Sequence, residues 1–233
     1  MSRSSAMSAL TDIAEEQWGL FTRRQAEATG MAWSTLARLA TEAATVERVA
    51  HGVYRLRGAP PPDRLDLRAA WLQLAPDTPA WERAPDDGVV SHRSAAALYG
   101  LGHLPADIHE FTLPKRRQSR RSDLRLHRGR LTESEWTTLD GLPVTRPRRI
   151  TSDLLAARED PGAVGHVLAE ALRGGHDHPA AMVRSLAAHA AHFGLRRGDG
   201  PALLRWLLDL TSAPERDRWL GQATDTETTT SPL

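Results

Sequence analysis

Apolar residues recur at Leu10, Ile13, Ala14 and Trp18, the i, i+3, i+4, i+8 spacing of one helical face, and Gly19 stops the run. Thr22 can cap a second, short helix through about Thr29, which Gly30 breaks. A third helix, from about Trp33 to Ala43, buries Leu36 and Leu39. The period then changes from that of a helix to that of a strand. Val46–Val49 and Val53–Leu56 read as two short strands joined by Ala50-His51-Gly52, where Gly52 supplies the positive φ of a tight turn. Gly58-Ala59-Pro60-Pro61-Pro62 follows as a stiff linker.

Helix resumes near Asp63 to Leu74, and a loop rich in Pro and Asp leads to a short apolar strand at Val89-Val90. Ser91 is expected to cap a helix through Tyr99. Ile108 to Leu113 and Leu124 to His127 read as strands around a basic loop, with another strand at Leu142 to Thr145. That loop, lying between strands, is expected to project as a charged hairpin tip. From Pro147 onward helical patterns dominate: Ile150 to Ala157, Ala163 to Leu172, Pro179 to Phe193 and Pro201 to Leu210. No internal repeat is visible. The expected class is α+β in three parts: a unit over 1–58, a mixed but mostly helical domain over 63–222, and a Thr-rich, disordered tail over 223–233.

The first unit has the spacing of a helix-turn-helix. Two helices crossing sharply need a small residue where they touch, a glycine where the turn goes left-handed, and apolar residues where the second meets the core. Counting from Thr22, Ala26, Gly30, Leu36 and Leu39 supply these at places five, nine, fifteen and eighteen. A helix before the motif and a β-hairpin after it complete the layout of a winged helix; the alternative is a small α+β domain that merely docks on the rest of the chain. If the motif holds, the start of the third helix enters the major groove, and Ser34, Thr35 and Arg38 are the candidates for base edges. Trp33 opens that helix and suits either a core position or a DNA contact. Thr22, Arg23 and Arg24 start the preceding helix, where backbone N–H groups and cations meet phosphate. Strand alternation turns Tyr54 and Leu56 inward, and lets His51, Arg55 and Arg57 reach the flanking backbone or minor groove.

Charge sharpens this picture only where it is concentrated. The 233 residues carry 30 Lys and Arg against 29 Asp and Glu, a net charge of +1. The first 57 residues are also near +1, so one copy is expected to bind DNA modestly and to need a homodimer or further cations. Between Lys115 and Arg149, eleven basic residues face four acids. Arg116, Arg117, Arg120 and Arg121 in that stretch are candidate phosphate contacts; a solvated Arg-rich face is the other reading, because Lys115 is the only lysine in the chain. No stretch of 18 apolar residues is present, and the first ten residues lack the pattern of a secretory signal. With no cysteine, disulfides and thiolate chemistry are excluded, and a cytoplasmic location is the default expectation.

The residues argue against an enzyme. A restriction-type nuclease presents an acid-x-Lys pair, but Lys115 follows Leu113-Pro114 with no carboxylate two places before it. His176-Asp177-His178 has the look of a metal seed without a clear further ligand, and reads as a polar loop. Ser91-His92 reads as a helix cap, and His189 and His192 as surface or core residues one turn apart. No cofactor and no metal are expected.

Gly19-Leu20-Phe21-Thr22-Arg23-Arg24-Gln25-Ala26 and Arg48-Val49-Ala50-His51-Gly52-Val53-Tyr54-Arg55-Leu56 resemble the AbiEi-type antitoxins of bacterial abortive-infection toxin–antitoxin systems. Val90-Ser91-His92-Arg93-Ser94-Ala95-Ala96, and Gly141-Leu142-Pro143-Val144-Thr145 leading into Asp153-Leu154-Leu155, extend the likeness. The resemblance is clear over about the first 60 residues, fair to about Asp153 and faint beyond. It implies an amino-terminal winged helix that represses its own operon at inverted repeats. It also implies a carboxy-terminal domain that neutralises a nucleotidyltransferase-like toxin without a stable complex. A stand-alone regulator with the same DNA-binding unit remains the second reading.

Overall fold

The computed structural model describes residues 3–42 and 45–225. The fold is α+β, and it divides into a first unit ending at Gly88 and a second starting at Val89.

In the first unit α1 (Arg3–Glu15), α2 (Arg23–Ala28) and α3 (Trp33–Glu42) surround a small antiparallel sheet. Its strands, β1 (Leu20–Thr22), β2 (Val46–Ala50) and β3 (Val53–Leu56), lie in the order β1-β3-β2. The three expected helices and the hairpin are present; β1 is additional, a three-residue strand too short to show a period. Leu10, Ala14, Phe21, Ala26, Leu36, Leu39, Val46 and Tyr54 form the core. Each leucine so buried contributes about 1.5–3 kcal/mol. Gly30 takes φ +86 at the helix-turn-helix turn and Gly52 takes φ +68 at the hairpin turn, as the spacing requires.

The unit does not stop at the proline run. α4 (Leu65–Leu74) packs on all three strands, and Trp71 meets Trp18 edge-on with ring centroids 6.0 Å apart. The loop beyond α4 is tied back at three points. Thr22 Oγ1 donates to Pro76 O, the Gln25 amide to Thr78 O, and Ala80 N to Gln17 Oε1. Arg83 donates to the carbonyls of Trp71, Leu72, Ala75 and Thr78, satisfying the end of α4. The compact unit therefore reaches Gly88, where the sequence pattern alone sets its edge at 58.

The second unit holds a mixed sheet in the order β6-β5-β4-β8-β7: β4 (Val89–Val90), β5 (His109–Leu113), β6 (Leu124–Arg128), β7 (Trp136–Leu139) and β8 (Leu142–Thr145). α5 (His92–Tyr99) follows β4. Here one expectation is overturned. β5 and β6 pair in parallel, His109 opposite Leu124 through Leu113 opposite Arg128, so the basic loop is a crossover and not a hairpin tip. α6 (Pro147–Ala156), α7 (Pro161–Arg173), α8 (Pro179–Leu186), α9 (Gly200–Thr211) and α10 (Arg216–Asp225) complete the unit. α7 and α9 approach closely at Gly165, where a Cβ would stand 2.6 Å from Leu207 O. Residues 223–225, assigned to a disordered tail by composition, belong to α10, and the rest of that tail lies outside the described residues.

Candidate nucleic-acid interface

Thr22 is the hinge of the helix-turn-helix. Its hydroxyl accepts from Gln25 N at 3.1 Å while Gln25 Oε1 accepts from Thr22 N at 2.9 Å, a reciprocal capping box. Arg23 N donates to Gly52 O, which fastens the hairpin turn to the start of α2. These bonds use donors that the sequence offered to phosphate. Thr22 is 1% exposed and its hydroxyl also donates to Pro76, so it sets the geometry of the motif from inside. The amides of Gln17 and Gln25 pair face to face beneath it at 2.9 and 3.0 Å. No pattern of apolar residues signals such a buried polar pair.

The cations and the aromatic ring are arranged around α2 and α3. Trp33, at the first position of α3, is exposed, and the Arg23 guanidinium lies 4.2 Å over its ring. This is not a core position. Arg23 Nε also meets Glu27 Oε1 at 2.7 Å, so ring and carboxylate together hold the guanidinium in one place. Arg24 is more open, 3.7 Å from Glu27 and 3.9 Å from Asp77. Along α3, Ser34 and Arg38 are exposed and Thr35 is half-buried, while Arg38 pairs with Glu42 at 2.8 Å. Exposed pairs of this kind stabilise a helix by about 0.3–0.5 kcal/mol and exchange readily for a phosphate partner.

On the hairpin the three candidates differ in kind. His51 is exposed at the turn, its ring nitrogen 3.2 Å from Arg48 Nη2, and Gln73 of α4 donates to its carbonyl. Sequence reasoning misses Arg48; only its place two residues before Ala50-His51-Gly52 could have suggested it. Arg57 is exposed and 3.8 Å from Glu47. Arg55 is 13% exposed, donating to Glu47 Oε1 and to Ala59 O at 2.8 Å each. That pair holds the Glu47 carboxyl below its ordinary range, and it makes Arg55 a tie inside the unit.

In the second unit Arg116, Arg117 and Arg120 are exposed on the crossover loop, and Arg121 is held bidentately by Asp123. The other residues singled out have structural partners. Asp177 accepts from Arg148, His178 accepts from Ala180 N at the start of α8, and His176 meets the Tyr99 ring edge-on. No group of three His, Asp or Glu among the described residues can hold a metal ion. Ser91 stands at the N-cap of α5, yet its side chain does not cap it. Its Oγ lies 3.0 Å from His92 Nδ1, and the buried Glu110 carboxylate accepts from Arg93 N in its place. His189 Nε2 lies 2.7 Å from Ser152 Oγ, linking α6 to the turn after α8.

No helix among the described residues is long and apolar enough to cross a membrane. No curated protein matches the chain. Residues 8–57, which hold α1, the helix-turn-helix and the hairpin, match the family AbiEi_4, described as "Transcriptional regulator, AbiEi antitoxin".

Proposed function

We propose that this chain is a sequence-specific double-stranded DNA-binding regulator, the antitoxin and autorepressor of an AbiE-like operon, and not an enzyme. The observation that carries the reading is the exposed start of α3. Trp33, Ser34 and Arg38 face solvent beside Arg23 and Arg24, on a helix-turn-helix whose geometry is enforced by a buried cap. In this reading Ser34, Thr35 and Arg38 read base edges, and Arg23, Arg24, His51 and Arg57 hold phosphates. Arg116, Arg117, Arg120 and Arg121 add phosphate contacts, and a homodimer places two such units on an inverted repeat. Thr22 and Arg55 support the surface from within. The protein works in the cytoplasm, and its functional counterpart is a nucleotidyltransferase-like toxin.

Promoter binding by single-site variants tests the base-reading role. Arg38→Ala is expected to cost about 1–3 kcal/mol and to relax preference at one base position. Arg24→Ala is expected to weaken every sequence alike and to flatten the salt dependence. Equal, sequence-blind losses in both would remove Arg38 from base reading. A second reading, the stand-alone regulator, draws on one observation: the family match ends at residue 57 and leaves the unit from Val89 onward unmatched. Co-expression with a neighbouring nucleotidyltransferase-like gene product separates the two, since only the antitoxin restores growth.

A further inference from the structure

A groove of about 710 Å³ opens on the first unit between α1 and the chain that leaves β3. Met7, Thr11 and Glu15 of α1 line it, together with Trp18, Leu56 and residues 58–62. Its volume is that of a site for a small organic molecule, not for a helix. Three separate features make it a built cavity. Trp18 takes φ +60, a left-handed conformation costly for a bulky side chain, and Gly19 follows at +77. The indole is fixed in that pose by Trp71 against its edge and by the Arg68 guanidinium 4.3 Å from the ring centre. The three prolines at 60–62 keep their part of the lining extended, so the groove cannot close by simple collapse.

The lining also states the chemistry of its occupant. The walls are an indole, aliphatic side chains and proline rings, and Glu15 is the sole charged residue among those that line it. Glu15 is exposed and forms no ion pair with any described residue. We propose that this groove binds a small, planar aromatic amine, its ring against Trp18, Leu56 and the prolines and its ammonium at the Glu15 carboxylate. Apolar burial supplies the affinity, and the carboxylate selects cation over anion. Leu56 ends the second hairpin strand and Glu15 ends α1, so one ligand touches both. The inference does not depend on the DNA reading.

Calorimetric titration of the full chain with tryptamine and with indole-3-acetate, one ring with opposite charges, tests it. Tryptamine is expected to bind at one saturable site, about tenfold or more tighter than indole-3-acetate, and Glu15→Gln to erase that preference. Gly58 lines the groove, and a Cβ there meets nothing within 4 Å. Gly58→Phe should therefore fill the groove and weaken tryptamine about tenfold or more, with an unchanged unfolding temperature. Should that variant fail to fold, Thr45→Trp fills the groove from another lining position. Absence of saturable binding by tryptamine, equal affinity for both probes, or full affinity in the filled variant each overturns the proposal.

Discussion

His92 shows how a single residue couples a fold to pH. It sits at φ +52 where β4 turns into α5, 7% exposed, its ring stacked on His127 with centroids 3.5 Å apart. Burial first, and then the neighbouring His127, pushes its pKa from the ordinary 6.5 down to about 3; Arg149 and Arg125 act the same way and Glu110 opposes them. Because the folded pKa is the lower one, the unfolded chain takes up a proton first. The contribution is whole above pH 6.5 and declines as pH falls toward 3. Between pH 6.5 and 5.5 the second unit should lose about 1 kcal/mol of stability through this group. His92→Asn keeps a residue tolerated at positive φ and removes the titration. Denaturant unfolding at pH 7 and pH 5.5 should show a smaller acid loss in the variant, and an undiminished loss would assign the pH dependence elsewhere. The same scale explains why the interface candidates divide. Arg55 and Arg57 alternate with Tyr54 and Leu56, but Arg55 is held by both the Glu47 carboxylate and the Ala59 carbonyl at 2.8 Å, whereas Arg57 stays exposed with only a long 3.8 Å pair to Glu47.

Among elements, close helix packing bears most directly on stability. Gly165 allows α7 to lie against α9, and Gly165→Leu would force a branched side chain into the Leu207 carbonyl and the Thr211 side chain. Overpacking of this kind costs about 1–3 kcal/mol. Thermal unfolding of the fragment from Val89 onward should show that cost, with promoter binding by the intact variant unchanged at low temperature. The helix-turn-helix depends instead on polar ties. Gln25→Ala would take away the capping-box acceptor of Thr22 N and the side-chain partner of Gln17, about 1–3 kcal/mol for a buried donor left unmade. The expected result is a lower unfolding temperature and weaker binding to every DNA sequence, without a change in base preference. These ties are invisible in the sequence because Gln17 and Gln25 are polar residues at buried positions, and apolar periodicity reports only apolar burial.

At the scale of the whole molecule, two units set the experiments. A fragment ending at Gly88 should fold and bind DNA, whereas one ending at Ala59 loses α4, Trp71 and the anchors at Pro76, Thr78 and Ala80. The shorter fragment is expected to unfold at a markedly lower temperature, and equal stability of the two would return the boundary to the proline run. The crossover loop carries the second test. Replacing Arg116, Arg117, Arg120 and Arg121 with Ser should reduce the slope of log K against log salt by about one unit for each phosphate that is no longer neutralised. Parallel lines for wild type and variant would place the loop away from DNA.

The helices and strands of this protein follow from its sequence alone wherever one spacing dominates. The 3.6-residue stripe of α1 and α3, the cap at Thr22, and the glycines at 30 and 52 are local requirements, satisfied within a few residues of themselves. The α+β class, the helix-turn-helix and its hairpin were legible for that reason. Tertiary structure decided what depends on distant partners. It ran β6 parallel to β5, because register and direction are chosen by the sheet and not by the strand. It enlarged the first unit to Gly88 through hydrogen bonds spanning more than fifty residues. It also sorted the arginines, turning Arg55 inward and laying Arg23 on an exposed Trp33, because a guanidinium goes where carbonyls, carboxylates and rings from other segments converge.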